Sequence, residues 1–456
     1  MKLRPLFFWF HMLTGVLTGA IILVMALTGA LITFEKPLIA WLEGSVRKTE
    51  RAVGLSEGKT VDHLFDRLRF EYGRNPLAVT IFADPHLAVE VVMGREEVLF
   101  WDPSSDQIRP SRTTWLRHLM SQLTAWHRWL GLDGQRRNWG KAITGACNVA
   151  FLGLIITGLI LWWPARLGPN VWRLRLWFRR GMKAHARDWH WHHVIGFWCG
   201  PVLLVLSGSA IVISYAWASQ WVERIGGRAV AARSELTSGA SLPEIGSPTM
   251  TSTTPLSLQE SLDIVQRLVP TWQSLTIRVG GKRPDPGPDL LPRSERLKSN
   301  HLPKHQRFST LPSPGSPDEH RPGVASQVFG KSADSVVGEN VTIAVRERGT
   351  WPLFATTQIR LDPRSGLIIS RQSFSDLPLG RRIRMWLRYL HTGEALGWPG
   401  QLLAMIASLG AVVLVWTGLT LSCRRFLSSR GSTRLSSLQH PTHRQSTPTL
   451  QAGDKQ

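Results

Sequence analysis

Four histidines are placed where they could do chemistry. His11, His127 and His192 are each followed four positions later by glycine (Gly15, Gly131, Gly196), and each stands in or near a long apolar run. His391, in "LRYLHTGEALGW", stands before a fourth run. Neutral imidazole is the commonest side-chain metal ligand, and an ionisable group at membrane depth is a functional candidate by default. Two facing imidazoles on packed helices are what bis-histidine ligation of a porphyrin iron requires. The plainer reading of any one of these residues is an interfacial side chain; the matched placement of four favours ligation. In "RDWHWHHVIGFW" His190, His192 and His193 compete. His192 keeps the glycine spacing, and His193 is the alternate. His118 rivals His127, but the two lie nine positions apart and on one straight helix face opposite sides. His63, His86, His301, His305, His320, His440 and His443 read as surface residues.

The elements that must position these histidines are four nearly charge-free windows, Leu6–Phe34, Ala142–Trp163, Val194–Trp217 and Leu402–Leu421. Each has about the 20 residues needed to cross a hydrocarbon core. The first follows Lys2 and Arg4 as a signal peptide would, but its length and the lack of a clean small-x-small site predict a retained helix. The chain of 456 residues has a formal net charge of +22. A nucleic-acid partner is not indicated, because the charge gathers in short segments beside the windows: Arg166, Arg173, Arg175, Arg179, Arg180, Lys183 and Arg187, then Arg424, Arg425 and Arg430. Short basic loops on one side are the positive-inside pattern. It predicts both termini in the cytoplasm and the two long connections outside. Many of the 21 tryptophans, among them Trp9, Trp41, Trp163, Trp217 and Trp398, flank the windows as interfacial belts do. The cysteines Cys147, Cys199 and Cys423 form no C-x-x-C, which leaves zinc ribbons, thioredoxin chemistry and covalent haem attachment without support.

Each window also holds a small hydroxyl residue beside glycine: Thr28-Gly29, Thr157-Gly158, Ser207-Gly208 and Thr417-Gly418. Such pairs let helices approach closely in lipid, and four in register point to a repeated unit. The long connections agree. Each offers an amphipathic helix ("TVDHLFDRLRFEYG", "SLQESLDIVQRLVP"), then alternating strands, one of which runs into Asp102-Pro103 or Asp362-Pro363, a turn signal. An arginine-rich helical stretch follows each. The expectation is a mainly α membrane protein, a four-transmembrane-helix bundle from two repeats with two outer α+β domains. Its predicted segments are helix 1 at 1–35, outer domain 36–125, lead-in and helix 2 at 126–165, a basic loop 166–191, helix 3 at 192–218, outer domain 219–388, lead-in and helix 4 at 389–423, and a disordered tail 424–456. A Pro- and Ser-rich stretch near 281–335 reads as a disordered insertion. With this orientation His11 and His192 fall near the cytoplasmic face and His127 and His391 near the outer face, so two haems would make an electron path across the membrane.

"FHMLTGVLTG…LTGALITFEKPL", "WHRWLGL…ITGLILWWPAR", "HHVIGFW…LSGSAIVIS" and "LRYLHTGEALGWPGQ…WTGLTLS" resemble the PepSY-associated transmembrane family, which includes iron-regulated inner-membrane proteins of Gram-negative bacteria. The resemblance covers nearly the whole chain apart from the insertion and tail. It implies four transmembrane helices, two periplasmic PepSY-type domains and two b-type haems, in an inner-membrane reductase of ferric siderophores. It carries the ligands onto His11, His127, His192 and His391. One departure is that the family's third-helix histidine is usually followed by arginine, whereas here the pair is His192-His193. With no Rossmann or flavin motif, the electron donor would be a separate cytoplasmic reductase or a quinol. Arg117, Arg128, Arg381, Arg382 and Arg384 are candidates to neutralise haem propionates or attract an anionic siderophore, or simply to meet lipid headgroups. No catalytic side chain is identifiable. The alternatives are a non-redox assembly or regulatory membrane protein, and a haem conduit to another acceptor.

Overall fold

The computed structural model describes residues 3–49, 59–94, 96–164, 168–225, 256–278 and 341–436. Four helices in it are long and apolar enough to cross a membrane: Leu3–Leu42, Arg136–Trp162, Ala184–Ser214 and Glu394–Phe426. A helix satisfies all its backbone groups within itself, which lipid demands. The expected stretch 281–335 lies outside the described residues. Of the expected tail 424–456, residues up to Ser436 continue the last helix and the rest lie outside the described residues.

The chain divides into two compact units, Met1–Leu27 with Ala146–Leu204 and Ile406–Gln456, and Thr28–Gly145 with Val205–Met405. The first unit is helical. It holds most of α1 (Leu3–Ile32), the later part of α5 (Arg136–Trp162), α6 (Pro169–Leu176), the earlier part of α7 (Ala184–Ser214) and the later part of α10 (Gly397–Ser436). Its helices pack closely through small residues. A Cβ on Gly19 would touch Leu419 and Val415, and one on Gly410 would run into Cys199. Apolar side chains on the outward faces, such as Leu17 and Trp416, stay exposed as lipid-facing residues do. Asp188, buried at one end of α7, pairs with Arg187 and with Arg424 of α10.

The second unit is built on one antiparallel sheet of eight strands, in the order β4-β3-β2-β1-β5-β6-β7-β8. The strands are β1 Ala78–Phe82, β2 Val89–Val92, β3 Val98–Asp102, β4 Gln107–Pro110, β5 Trp272–Arg278, β6 Val341–Glu347, β7 Thr357–Leu361 and β8 Ile368–Gln372. The sequence presents the two outer stretches as separate α+β domains; the structure joins them. β1 pairs with β5, Val79 opposite Ile277 and Ile81 opposite Leu275, so the two sets of strands share one ladder. Thr80 and Thr276 bond side by side across this seam at 3.0 Å. Helices α3 (Val61–Tyr72) and α8 (Leu258–Leu268) supply Leu64, Leu68, Leu262 and Val265 to the core cluster that includes Val79, Ile81, Leu275 and Ile277. Joining the domains buries a strand edge of each that would otherwise invite pairing with another chain. The helix starts are joined too: Asp62 accepts the N–H groups of Leu258 and Gln259 at 2.9 and 3.0 Å, capping α8 from α3. The two Asp-Pro turns are equivalent in detail, since Asp102 and Asp362 each accept the backbone N–H two residues on, at 2.9 and 3.0 Å.

Two further helices of this unit matter for the site. α4 (Thr114–Trp129) ends where Leu130 and Gly131 both take positive φ, and α9 (Leu379–His391) ends at Thr392 before Gly393 turns the chain with φ of 76°. At Gly393 a Cβ would also lie 2.7 Å from the Gln401 Cα, so glycine is required there twice over.

Candidate functional site

Each unit brings together two of these four histidines from different helices. In the first, His11 of α1 and His192 of α7 have ring centres 6.3 Å apart, with the ring planes at 86°. In the second, His127 near the end of α4 and His391 at the end of α9 are 6.4 Å apart, with the planes at 51°. The structure thus brings together, two by two, the four histidines singled out in the sequence. Two imidazoles on opposite sides of one metal ion, each bonded at about 2.0 Å, place their ring centres roughly 6 Å apart. Both pairs meet that separation.

Every one of the four rings meets a hydroxyl at Nδ1. His11 Nδ1 lies 2.9 Å from Thr157 Oγ1, and His192 Nδ1 lies 2.9 Å from Thr417 Oγ1. His127 Nδ1 is 3.2 Å from Thr28 Oγ1. His391 Nδ1 is 3.3 Å from Ser209 Oγ and donates to the Leu206 carbonyl at 2.9 Å. In histidines that ligate a metal, one ring nitrogen is commonly engaged by the protein while the other binds the metal; in all four rings here Nδ1 is an engaged nitrogen. The glycine after each first-unit threonine gives the ring its room: a Cβ on Gly158 or Gly418 would come 3.2 or 3.4 Å from the Cε1 of His11 or His192. Among the described residues, no group of three or more His, Cys, Asp or Glu is arranged to hold a bare metal ion. A porphyrin iron asks the protein for only two axial ligands, and the two pairs fit that demand.

A family model described as the PepSY-associated TM region matches residues 8–425. The chain belongs to the PepSY-associated transmembrane family. A search of the curated proteins finds no match.

In this PepSY-associated chain the competing histidines separate by geometry. His193 is turned back on its own helix, with Nδ1 2.8 Å from the Trp189 carbonyl and its ring against the Trp189 ring. His190 is buried and accepts the Arg179 N–H at 3.2 Å. His118 is exposed and meets Glu96 at 2.8 Å. His63 pairs with Asp106 at 2.9 Å, and His86 lies in a surface turn. His301, His305, His320, His440 and His443 lie outside the described residues.

The arginine candidates fare differently. Arg117 is spent on Glu43, reaching both carboxylate oxygens at 3.0 Å, and Arg384 is spent on Glu223 and Ser219. Arg128 lies over the Trp129 ring and Arg382 over the Phe374 ring. Arg117 is not free to neutralise a ligand, because removing a cation from the buried Glu43 carboxylate is costly, whereas Arg384 shares an exposed pair with Glu223. The repeated H-x-x-x-G spacing is not one device either. Gly15 and Gly196 give ordinary helix contact to Leu154 and Leu414, while Gly131 ends α4 with φ of 68°.

What the sequence reading missed is the hydroxyl of the T-G pairs. It was visible as a motif in all four windows, but it reads as a helix-packing signal until the histidine that meets it is placed. In one case the partner shifts by two residues, Ser209 rather than Ser207.

Proposed function

We propose that this membrane protein holds two b-type haems, one between His11 and His192 and one between His127 and His391. We further propose that it passes electrons across the inner membrane to a periplasmic ferric siderophore. The observation that carries the haem reading is the two facing pairs, each at the separation one shared metal ion requires and each with Nδ1 engaged. The acceptor is supported by the family resemblance. The histidines orient and hold; Gly158 and Gly418 clear the space behind two of the rings. Haem iron, when bound, supplies one-electron chemistry to which the protein adds position, potential and access. Each ferric ion takes one electron and becomes Fe(II), which hard oxygen ligands hold less tightly. A quinol or a cytoplasmic reductase is the source of that electron. The basic segments beside the spans support an orientation with Arg4 and Arg424 in the cytoplasm and the sheet in the periplasm.

The test is a reduced-minus-oxidised optical spectrum of the detergent-purified protein, with haem quantified as the pyridine complex. Wild type is expected to carry two b-type haems per chain, and His11→Ala or His391→Ala to carry one. Wild type free of haem, after expression with haem supplied, defeats the reading. Reoxidation of the reduced protein by a ferric hydroxamate or catecholate chelate then tests the acceptor.

A further inference from the structure

The hydroxyls facing the histidines are not passive neighbours, and their own protons are accounted for. A threonine or serine hydroxyl has one proton to give and two lone pairs to accept with. Thr157 Oγ1 donates to the Gly153 carbonyl at 2.7 Å, one helical turn back. Thr417 Oγ1 donates in the same way to Val413 at 2.8 Å, and Ser209 Oγ to Val205 at 2.6 Å. With that proton committed to the helix, each oxygen can only accept from the ring it faces. The 2.9 Å contacts to His11 and His192 are therefore Nδ1–H donations, and Nε2 of each ring keeps its lone pair. His391 reaches the same state by another route, since the Leu206 carbonyl at 2.9 Å cannot donate at all. That carbonyl stands three residues before Ser209, the place that the carbonyls of Leu154 and Leu414 hold before Thr157 and Thr417.

We propose that Thr157 and Thr417 are positioning residues. They fix the Nδ1–H tautomer of His11 and His192, aim Nε2 away from the helix that holds the hydroxyl, and strengthen each ring as an electron donor through Nε2. The motif read in sequence as close helix packing is, at these two positions, a histidine clamp: the threonine accepts and the following glycine leaves room for the ring. The proposal rests on the haem reading above. A ring whose Nδ1–H is well accepted is the more basic ligand, and a more basic ligand favours the ferric state. Loss of the acceptor is expected to raise the midpoint potential.

The experiment is an optical redox titration of the purified full chain, with haem content and the low-spin ferric electron paramagnetic resonance spectrum measured on each variant. Thr157→Val and Thr417→Val are expected to move one haem to higher potential and shift its resonance, leaving the other haem in place. Thr157→Ser is expected to restore both. Thr420→Val is the control, since Thr420 donates only to its own helix, at the Trp416 and Thr417 carbonyls. Loss of one haem in Thr157→Val that Thr157→Ser restores supports the clamp; loss that serine does not restore overturns it. Two haems with wild-type potentials and spectra in both valine variants overturn it as well, with the haem reading left standing. Wild type lacking haem removes that reading itself.

Discussion

At the scale of single residues, the buried polar groups are spent on placing helices. Glu43, at the end of α2 (Glu35–Leu42), is almost wholly buried and accepts from Ser111 and Thr113 at 2.5 Å each and from Arg117 of α4. Burial opposes its charge, but the two hydroxyls and the guanidinium outweigh burial and hold the carboxyl below its ordinary range. A carboxyl depressed in this way stabilises the fold at pH above its unfolded value of about 4.3 and gives that stability up as pH falls through the lower folded value. Glu43→Gln strands Arg117 and is expected to cost about 3–5 kcal/mol at neutral pH, as breaking one side of a buried pair does. Thermal melts in detergent should show the gap to wild type closing below about pH 4; a gap constant with pH defeats this account. Nothing in the sequence marked Glu43, because a lone glutamate after "IAWL" looks like the wet end of a helix. The four histidines were legible because their signal is local, a ring beside an apolar run. The fate of Arg117 was not, since its partner stands 74 positions away.

At the scale of elements, helices and strands were largely readable from periodicity, and their partners were not. The four spans, the two amphipathic helices and both Asp-Pro turns lie where the pattern places them. The pairing of β1 with β5 was invisible, because an alternating strand looks the same whether its neighbour belongs to its own half or the other. This seam makes a prediction. In hydrogen exchange, amides of Val79, Ile81, Leu275 and Ile277 should rank among the slowest of the sheet, since β1 and β5 are central strands whose apolar side chains are fully buried. Separate domains would instead leave them at fast-exchanging edges. Leu275→Ala is expected to destabilise by about 2–5 kcal/mol. It should expose the α3 and α8 regions to protease together, because both helices pack on one core. Cleavage confined to one region refutes the shared core.

At the scale of the whole molecule, four spans and a strongly basic chain set the orientation to be tested. Arg173, Arg175, Arg179 and Arg180 sit between the second and third spans, and Arg424 and Arg425 close the fourth. A fluorescent reporter that matures only in the cytoplasm is expected to light when fused after Arg430 and to stay dark when fused after Ile225. The reverse pattern inverts the orientation. The pairing of the histidines also has a consequence in time. Neither pair is contiguous in the chain, so a growing polypeptide holds no complete site until His192 has left the ribosome, and the second site waits for His391. On the haem reading proposed above, cofactor capture is therefore ordered, with the second site filled late in synthesis. On that reading a fragment that ends before His192 holds no complete pair, and only the second haem must meet a nearly finished protein.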